Sequence, residues 1–335
     1  MIIIEQAHKE AIKQVCQSAA SRSHIQAFEN IMIRTLESAV KLKAGDSLIE
    51  LTKTIPAEVK SGFETTVNAA KFLQSFNACG GDVTITLKDK MTIKSGSRRF
   101  ALPVIPVESY PAYPDMEDEQ RIGDTSVIKT VKSASWASGV NDVRHVFNGV
   151  FLGEYVAATN GHKMSLIDNG ADCSVIIPIE AIKRIPDVDG EVYISDSVMC
   201  IKSDDLLFKT KLVDGRPMDY TRAIPKTNKE VTVDVSDFTD AVRAAQITAN
   251  SQFKTIVMHF GKESTITAAS ADKREESSIG FACDTSVEFD FAVNSSYLIE
   301  ALSVLDCESV TIEFSDDKML INKDGAKSII SYVRV

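Results

Sequence analysis

The chain has 335 residues, 44% of them hydrophobic and 25% charged, with a formal net charge of −10. That length suits two or three ordinary domains, and the balance is that of a globular protein in water rather than a disordered or membrane-spanning one. Phosphate neutralisation needs Lys and Arg, so the acidic excess excludes a tight, charge-driven grip on nucleic acid unless the basic residues are concentrated on one surface. No apolar run approaches the roughly 18 residues that cross a bilayer, so no membrane partner is expected. The start, Met1 to Glu5, is apolar for four residues without a basic flank and reads as a first strand, not a signal peptide. Six scattered cysteines form no Cys-x-x-Cys pair, and with five scattered histidines they show no zinc spacing. Neither metal nor cofactor is expected, and the cysteine usage fits a reducing cytoplasm.

Taken in order, the elements repeat. The first unit has an apolar-periodic helix around 11–16 and strands at 30–35 and 47–52. A second helix at 68–76 is stopped by Gly80-Gly81, strands follow at 83–87, 91–94 and 99–102, and a proline-rich tail closes the unit at 109–114. The second unit has a helix around 127–132, strands at 150–152 and 155–159, and a helix at 178–185. Strands at 191–195, 199–202 and 206–213 lead to a tail ending at Ile224-Pro225. The third has a helix around 241–246, strands at 255–260 and 264–268, a helix at 294–305, and strands at 310–314, 319–322 and 328–335. Matching half-units in the same order three times argues for internal repetition. The expected class is α+β: three domains, 1–117, 118–227 and 228–335, each with two helices packed on antiparallel sheets.

Charge is distributed unevenly over these elements. The six helical stretches sum to +2 and the rest of the chain to −12. Lys129 and Lys132 contribute most to that excess, whereas the helices of the third repeat are net acidic. If one layer faces a polyanion it is the helical one, and so small an excess gives weak, salt-sensitive and sequence-blind contact.

Several segments then carry a family likeness. Asp142-Val-Arg-His-Val-Phe-Asn-Gly149, Ala158-Thr-Asn-Gly-His-Lys-Met164, Lys211-Leu-Val-Asp-Gly-Arg216 with Asp219-Tyr220, and Ile224-Pro225-Lys226 follow one another in the second repeat. In the first repeat Arg34-Thr35, Ile55-Pro-Ala-Glu58, Ile93-Lys-Ser-Gly96 and Arg99-Phe100 fit the same pattern, and in the third Val293-Asn-Ser-Ser-Tyr297 does. Together, and in this order, they resemble the beta subunit of bacterial DNA polymerase III, the beta sliding clamp. Pro217-Met218 stands where the family has Phe-Pro, and Ser331-Tyr-Val-Arg-Val335 where it ends Met-Pro-Met-Arg-Leu. These departures mark a divergent member, and a phage genome is one origin they fit.

The resemblance implies a non-catalytic processivity factor whose domains form a ring from two chains paired head to tail. Its partners would be duplex DNA, bound without regard to sequence, the replicative DNA polymerase, the clamp loader, and other proteins carrying a clamp-binding motif. DNA contacts would come from Arg22, Asn141, Arg144 and His145, with Lys129 and Lys132 on the helical layer. A peptide pocket would be lined by Phe147, Thr159, Gly161, His162, Lys163, Met164 and Pro225, with Asn294, Tyr297, Ile329, Ile330 and Val335. The homodimer interface would use Arg98, Arg99 and Leu102 of one chain against Ile247, Glu275 and Glu276 of the other.

Other readings of the same residues stay open at this point. Asp272 to Glu276 also reads as a solvated turn, and Asn160-Gly161 as a plain hairpin turn. A peptide-binding scaffold that never loads on DNA fits the same repeats. An enzyme using His145 or His162 as a base would need a nucleophile or metal, and no motif supplies one.

Overall fold

The computed structural model of the chain describes every residue except Glu117, Ser286 and Val335. Six α-helices occur among the described residues: α1 (Lys9–Ser18), α2 (Ala69–Asn77), α3 (Ser126–Ala134), α4 (Ile179–Ile182), α5 (Val235–Gln246) and α6 (Ser295–Ser303). The rest is antiparallel sheet and connecting turns, the α+β class read from the sequence. None of the helices is long and apolar enough to cross a membrane.

The chain divides into two compact units. One comprises Met1–Thr125 with Lys183–Leu212, the other Ser126–Ile182 with Val213–Val335. The division passes through the stretch read as the second repeat, and main-chain pairing explains why. In the first unit Leu206–Lys211 ladders onto Ile49–Pro56, from Leu206 opposite Lys53 to Thr210 opposite Ile49. One sheet of 13 strands results. The same unit is tied again by Arg184, which donates to Asp46 Oδ2 at 2.5 Å and to the Ser18 carbonyl at 2.8 Å. In the second unit Lys163–Ile167 ladders onto Ala326–Ser331, from Lys163 opposite Ile330 to Ile167 opposite Ala326, within an eight-stranded sheet. A separate four-stranded sheet runs in the order Glu276–Phe281, Ser264–Ala269, Thr255–Phe260, Phe289–Asn294.

The helices present one apolar face each. α2 begins where the Asn68 side chain accepts the Lys71 N–H at 3.0 Å, and it buries Phe72 and Phe76. Asp234 caps α5 in the same way, at 2.9 Å from the Asp237 N–H, and Phe238 fills the core beneath. There Phe314 lies 5.2, 5.1 and 5.0 Å, centroid to centroid, from Phe260, Phe289 and Phe291. Pairs of this kind contribute about 0.5–1.5 kcal/mol each beyond their buried area.

Three expected elements differ. The strand Asn30–Thr35 pairs with Ala39–Gly45, not with the segment after it; Ala39–Gly45 lies between the two. Its buried Val40, Leu42 and Ala44 alternate with Lys41 and Lys43, the period of a strand with one wet face. The helix expected at 178–185 is the single turn α4. The final strand stops at Ser331, after which the Tyr332 N–H donates to the Asp317 carbonyl and the Val333 N–H to that of Ala292.

Candidate functional site

In the second unit the hairpin of Val156–Thr159 and Lys163–Ile167 turns through Asn160, Gly161 and His162. Asn160 Oδ1 accepts the His162 and Lys163 N–H groups at 2.9 and 3.0 Å. Thr159 Oγ1 accepts the Gly161 N–H at 2.9 Å and donates to the Lys163 carbonyl at 2.7 Å. These side-chain bonds make the turn a shaped device rather than a plain two-residue loop. Gly161 adopts φ +90°, where side chains are strained, and a Cβ there would meet Arg144 Nη1 at 3.0 Å.

Arg144 locks that turn. Its guanidinium grips Asp142 with two bonds of 2.9 and 2.8 Å, donates to the Asn160 carbonyl at 3.0 Å, and stacks 4.1 Å above the Phe147 ring. The same guanidinium, with the Arg144 N–H, holds the Asp142 carboxyl down to about 2. A carboxylate depressed in the folded state contributes its stabilisation above the unfolded value near 3.9, and loses it as pH falls through about 2. The lock is therefore expected to persist unchanged from pH 7 to pH 4. An Asp142 carboxyl carbon shift that titrates between pH 4 and 5 by NMR would contradict it.

Beside the turn lies a cavity of about 180 Å³. Phe147, Thr159, Gly161, His162, Lys163 and Met164 form one side, Met218, Asp219, Tyr220 and Ala223 another, and Lys318, Ile329 and Ser331 the third. Tyr220 stacks on Phe151 at 5.6 Å beneath it, and burial followed by the nearby Tyr155 pushes its hydroxyl up to about 12, so it stays neutral. The space is well below that of a drug-sized site and suits one apolar side chain of a peptide.

Seven of the expected pocket residues line this cavity, and the others take different places. Ile330 faces away from Ile329, as strand alternation requires, and joins the core around Phe314. Asn294 caps α6, accepting the Ser296 and Tyr297 N–H groups, and its amide donates to the Phe253 carbonyl at 2.8 Å. The Tyr297 hydroxyl accepts from Asn160 Nδ2 at 3.2 Å, supporting the turn without lining the cavity. Pro225 is half-buried and does not line it, whereas Met218 and Ala223 from the same segment do. Val335 lies outside the described residues. Lys163 lends only its stem to the wall; its ammonium donates to the Trp136 carbonyl at 2.5 Å and pairs with Glu300.

The residues assigned to DNA are placed as follows. Arg22 is exposed in the loop after α1, and Asn141 is exposed at φ +56°. Lys129 is on the exposed face of α3 and Lys132 is half-buried there. Arg144 is spent on Asp142, and His145 Nε2 lies 2.8 Å from the Asp214 carbonyl. Of the cations in the stretches read as helical from the sequence, Arg184 and Arg243 are paired with Asp46 and Asp240, whereas Lys71 and Lys129 carry no ion pair among the described residues.

The residues assigned to the dimer lie at or beside two sheet edges, apart from Ile247 at the end of α5. Arg98–Ile105 pairs with Lys90–Ser95 through residues 98–103, but with Glu64–Asn68 only at Val104 and Ile105. Arg99 is exposed there, Arg98 reaches the Ala78 carbonyl at the end of α2, and Leu102 is nearly buried. Glu276–Phe281 is flanked by Ser264–Ala269 on one side and, among the described residues, by no strand on the other. Glu276 opens that edge strand, Glu275 precedes it, both are exposed, and Ile247 at the end of α5 is 82% exposed.

Comparison with known proteins identifies the family. Residues 1–114 match the N-terminal domain of the DNA polymerase III beta subunit, and residues 221–333 match its C-terminal domain. The chain is 26% identical to the beta sliding clamp of Vibrio cholerae over 366 aligned positions, covering 99% of each chain. It is 24% identical to that of Escherichia coli K12, covering 96% of this chain and 95% of the other. The solved sliding clamp of Pseudomonas aeruginosa bound to griselimycin superposes with a TM-score of 0.89 at 22% identity, over 99% of both chains. With both terminal domains matched and relatives aligned along its whole length, the chain belongs to the DNA polymerase III beta subunit family, the beta sliding clamps, as a divergent member.

Proposed function

We propose that this chain is a DNA sliding clamp: two copies close into a ring around duplex DNA and tether the replicative polymerase through the pocket beside Met164. The observation that carries the reading is a strand junction used twice within the chain and left open once. The third strand of the front half in the first repeat, Ile49–Pro56, pairs with the last strand of the second, Leu206–Lys211. The third strand of the second repeat, Lys163–Ile167, pairs with the last strand of the third, Ala326–Ser331. The corresponding strands left over are Glu276–Phe281 and the 98–103 part of Arg98–Ile105, each with an edge that no strand ladders onto among the described residues. Joining each to the other on a second copy repeats the junction and closes six domains, 1–117, 118–227 and 228–335 in each chain. A head-to-tail contact closes when its rotation permits.

A closed ring holds DNA by topology, so sparse cations such as Lys71, Lys129 and Arg22 suffice for a sliding contact. The clamp loader and other proteins bearing a clamp-binding motif would use the same pocket, in the cytoplasm, with no cofactor and no chemistry performed by the chain. The test is retention. After loading on nicked circular DNA the protein is expected to stay through gel filtration and leave on linearisation, while short linear duplex at physiological salt binds no tighter than micromolar. Nanomolar binding to the short linear duplex overturns sliding. Peptide binding without retention on circles would instead support a scaffold that does not load on DNA.

A further inference from the structure

We propose that the pocket is selective for a peptide whose apolar anchor is accompanied by a carboxylate, and that Lys318 is the residue that reads it. The inference rests on the pocket reading above and names the chemistry of its occupant. Lys318 lies on the cavity wall near Ile329 and Ser331, half-buried, on the strand Lys318–Lys323. Its ammonium donates to the Ala223 carbonyl at 3.1 Å, and no carboxylate lies within 4 Å of it among the described residues. An ammonium has donors to spare after one such bond.

The other charged side chains of the cavity wall are already paired. Asp219 accepts from Thr221 and from Arg222 Nε, at 2.5 and 2.9 Å. The Lys163 ammonium points away to Glu300, and nearby Arg144 is held by Asp142. Asp317 keeps its charge, but it is exposed to solvent and lies outside the cavity lining. Asp316 lies 3.9 Å from Lys229. His162 at the mouth adds no negative charge. Among the described residues that line the cavity, Lys318 is therefore the cation without a carboxylate partner, on a chain whose net charge is −10. A half-buried cation beside an apolar cavity favours an anion there more strongly than an exposed lysine would, because solvent screens it less. The Lys318–Ala223 bond also fixes the ammonium between the cavity and the 220–223 turn, so its position is set before a ligand arrives.

The carboxylate could be the peptide's own C-terminus or an Asp side chain next to the anchor, and the experiment separates them. Three fluorescein-labelled octapeptides share an aliphatic-aromatic end: one with a free terminal carboxylate, one amidated, and one amidated with Asp before the aromatic residue. Anisotropy titrations use the full-length protein and its Lys318→Met variant, which keeps the apolar stem. At least one carboxylate peptide is expected to bind the unmodified protein about tenfold tighter than the plain amide. That preference should vanish in Lys318→Met, where all three peptides should bind alike. Whichever carboxylate peptide gains identifies the source. Equal affinity of all three peptides for the unmodified protein, or a preference that survives Lys318→Met, overturns the role of Lys318 while leaving the pocket in place. Failure of all three to bind, with unchanged thermal melting, counts against the pocket itself.

Discussion

Reversing Arg98 and Arg99 to Glu together is expected to turn the dimer into a monomer at low micromolar concentration. Sedimentation should report a fall from twice 36.6 kDa to a single chain. The proposed junction sets the exposed start of Arg98–Ile105 on one copy against Glu275 and Glu276 at the open edge of Glu276–Phe281 on the other. Main-chain ladder bonds give that contact its strength, and the flanking charges give it register. Like charges juxtaposed at an interface cost several kcal/mol, and about 3 kcal/mol is more than a hundredfold in dissociation constant. Arg98 already reaches the Ala78 carbonyl, so Arg99 should carry the larger share, and Arg99→Glu alone should weaken the dimer less than the double change. Combining the double change with Glu275→Arg and Glu276→Arg should restore the dimer, which a merely misfolded variant could not do. An unchanged dimer in the double variant would remove these residues from the interface.

That junction shows what the sequence displays and what it conceals. Strong alternation made Val83–Leu87 legible to the residue, and the 255–260 and 264–268 pair nearly so, because one face of each is buried and the other wet. Ala39–Gly45 alternates just as plainly, with Val40, Leu42 and Ala44 buried between its lysines, and it was passed over only because it lies between two strands already read. Sequence order also suggests that a repeat is a structural unit. The ladders of Leu206–Lys211 and Lys163–Ile167 instead carry the two halves of the second repeat into different compact units, and no local pattern encodes so distant a pairing. The residues expected together from Thr159 to Met164, where motif and hairpin coincide, do share one cavity, Asn160 apart. Along the last strand, alternation separates Ile329, on that cavity, from Ile330, in the core. Met218 and Ala223 carry no signal of their own. Nothing in the sequence shows that Arg144 is bonded to Asp142 and to the Asn160 carbonyl.

The lock around Arg144 gives the largest expected effect on partner binding. Gly161→Val places a branched side chain at φ +90° and drives its Cβ into the guanidinium, 3.0 Å from Nη1 and 3.2 Å from Nη2. The guanidinium is the end of a flexible side chain and can move. Moving it gives up the bonds to Asp142 and the Asn160 carbonyl and the stacking on Phe147, a wall of the cavity. The strained backbone costs about 1–3 kcal/mol by itself. Removing a preformed anchor pocket commonly costs about 2 kcal/mol or more, over tenfold in affinity. A labelled peptide from the cognate polymerase is therefore expected to bind Gly161→Val at least tenfold more weakly. Arg144→Ala should show a similar loss, because it removes the same lock from the other side. Neither change touches residues 98–103 or 276–281, so both variants should sediment as dimers. If Arg144→Ala instead binds peptide normally but leaves circular DNA faster after loading, Arg144 acts on DNA despite its bonds to Asp142, and the pocket wall stands without it.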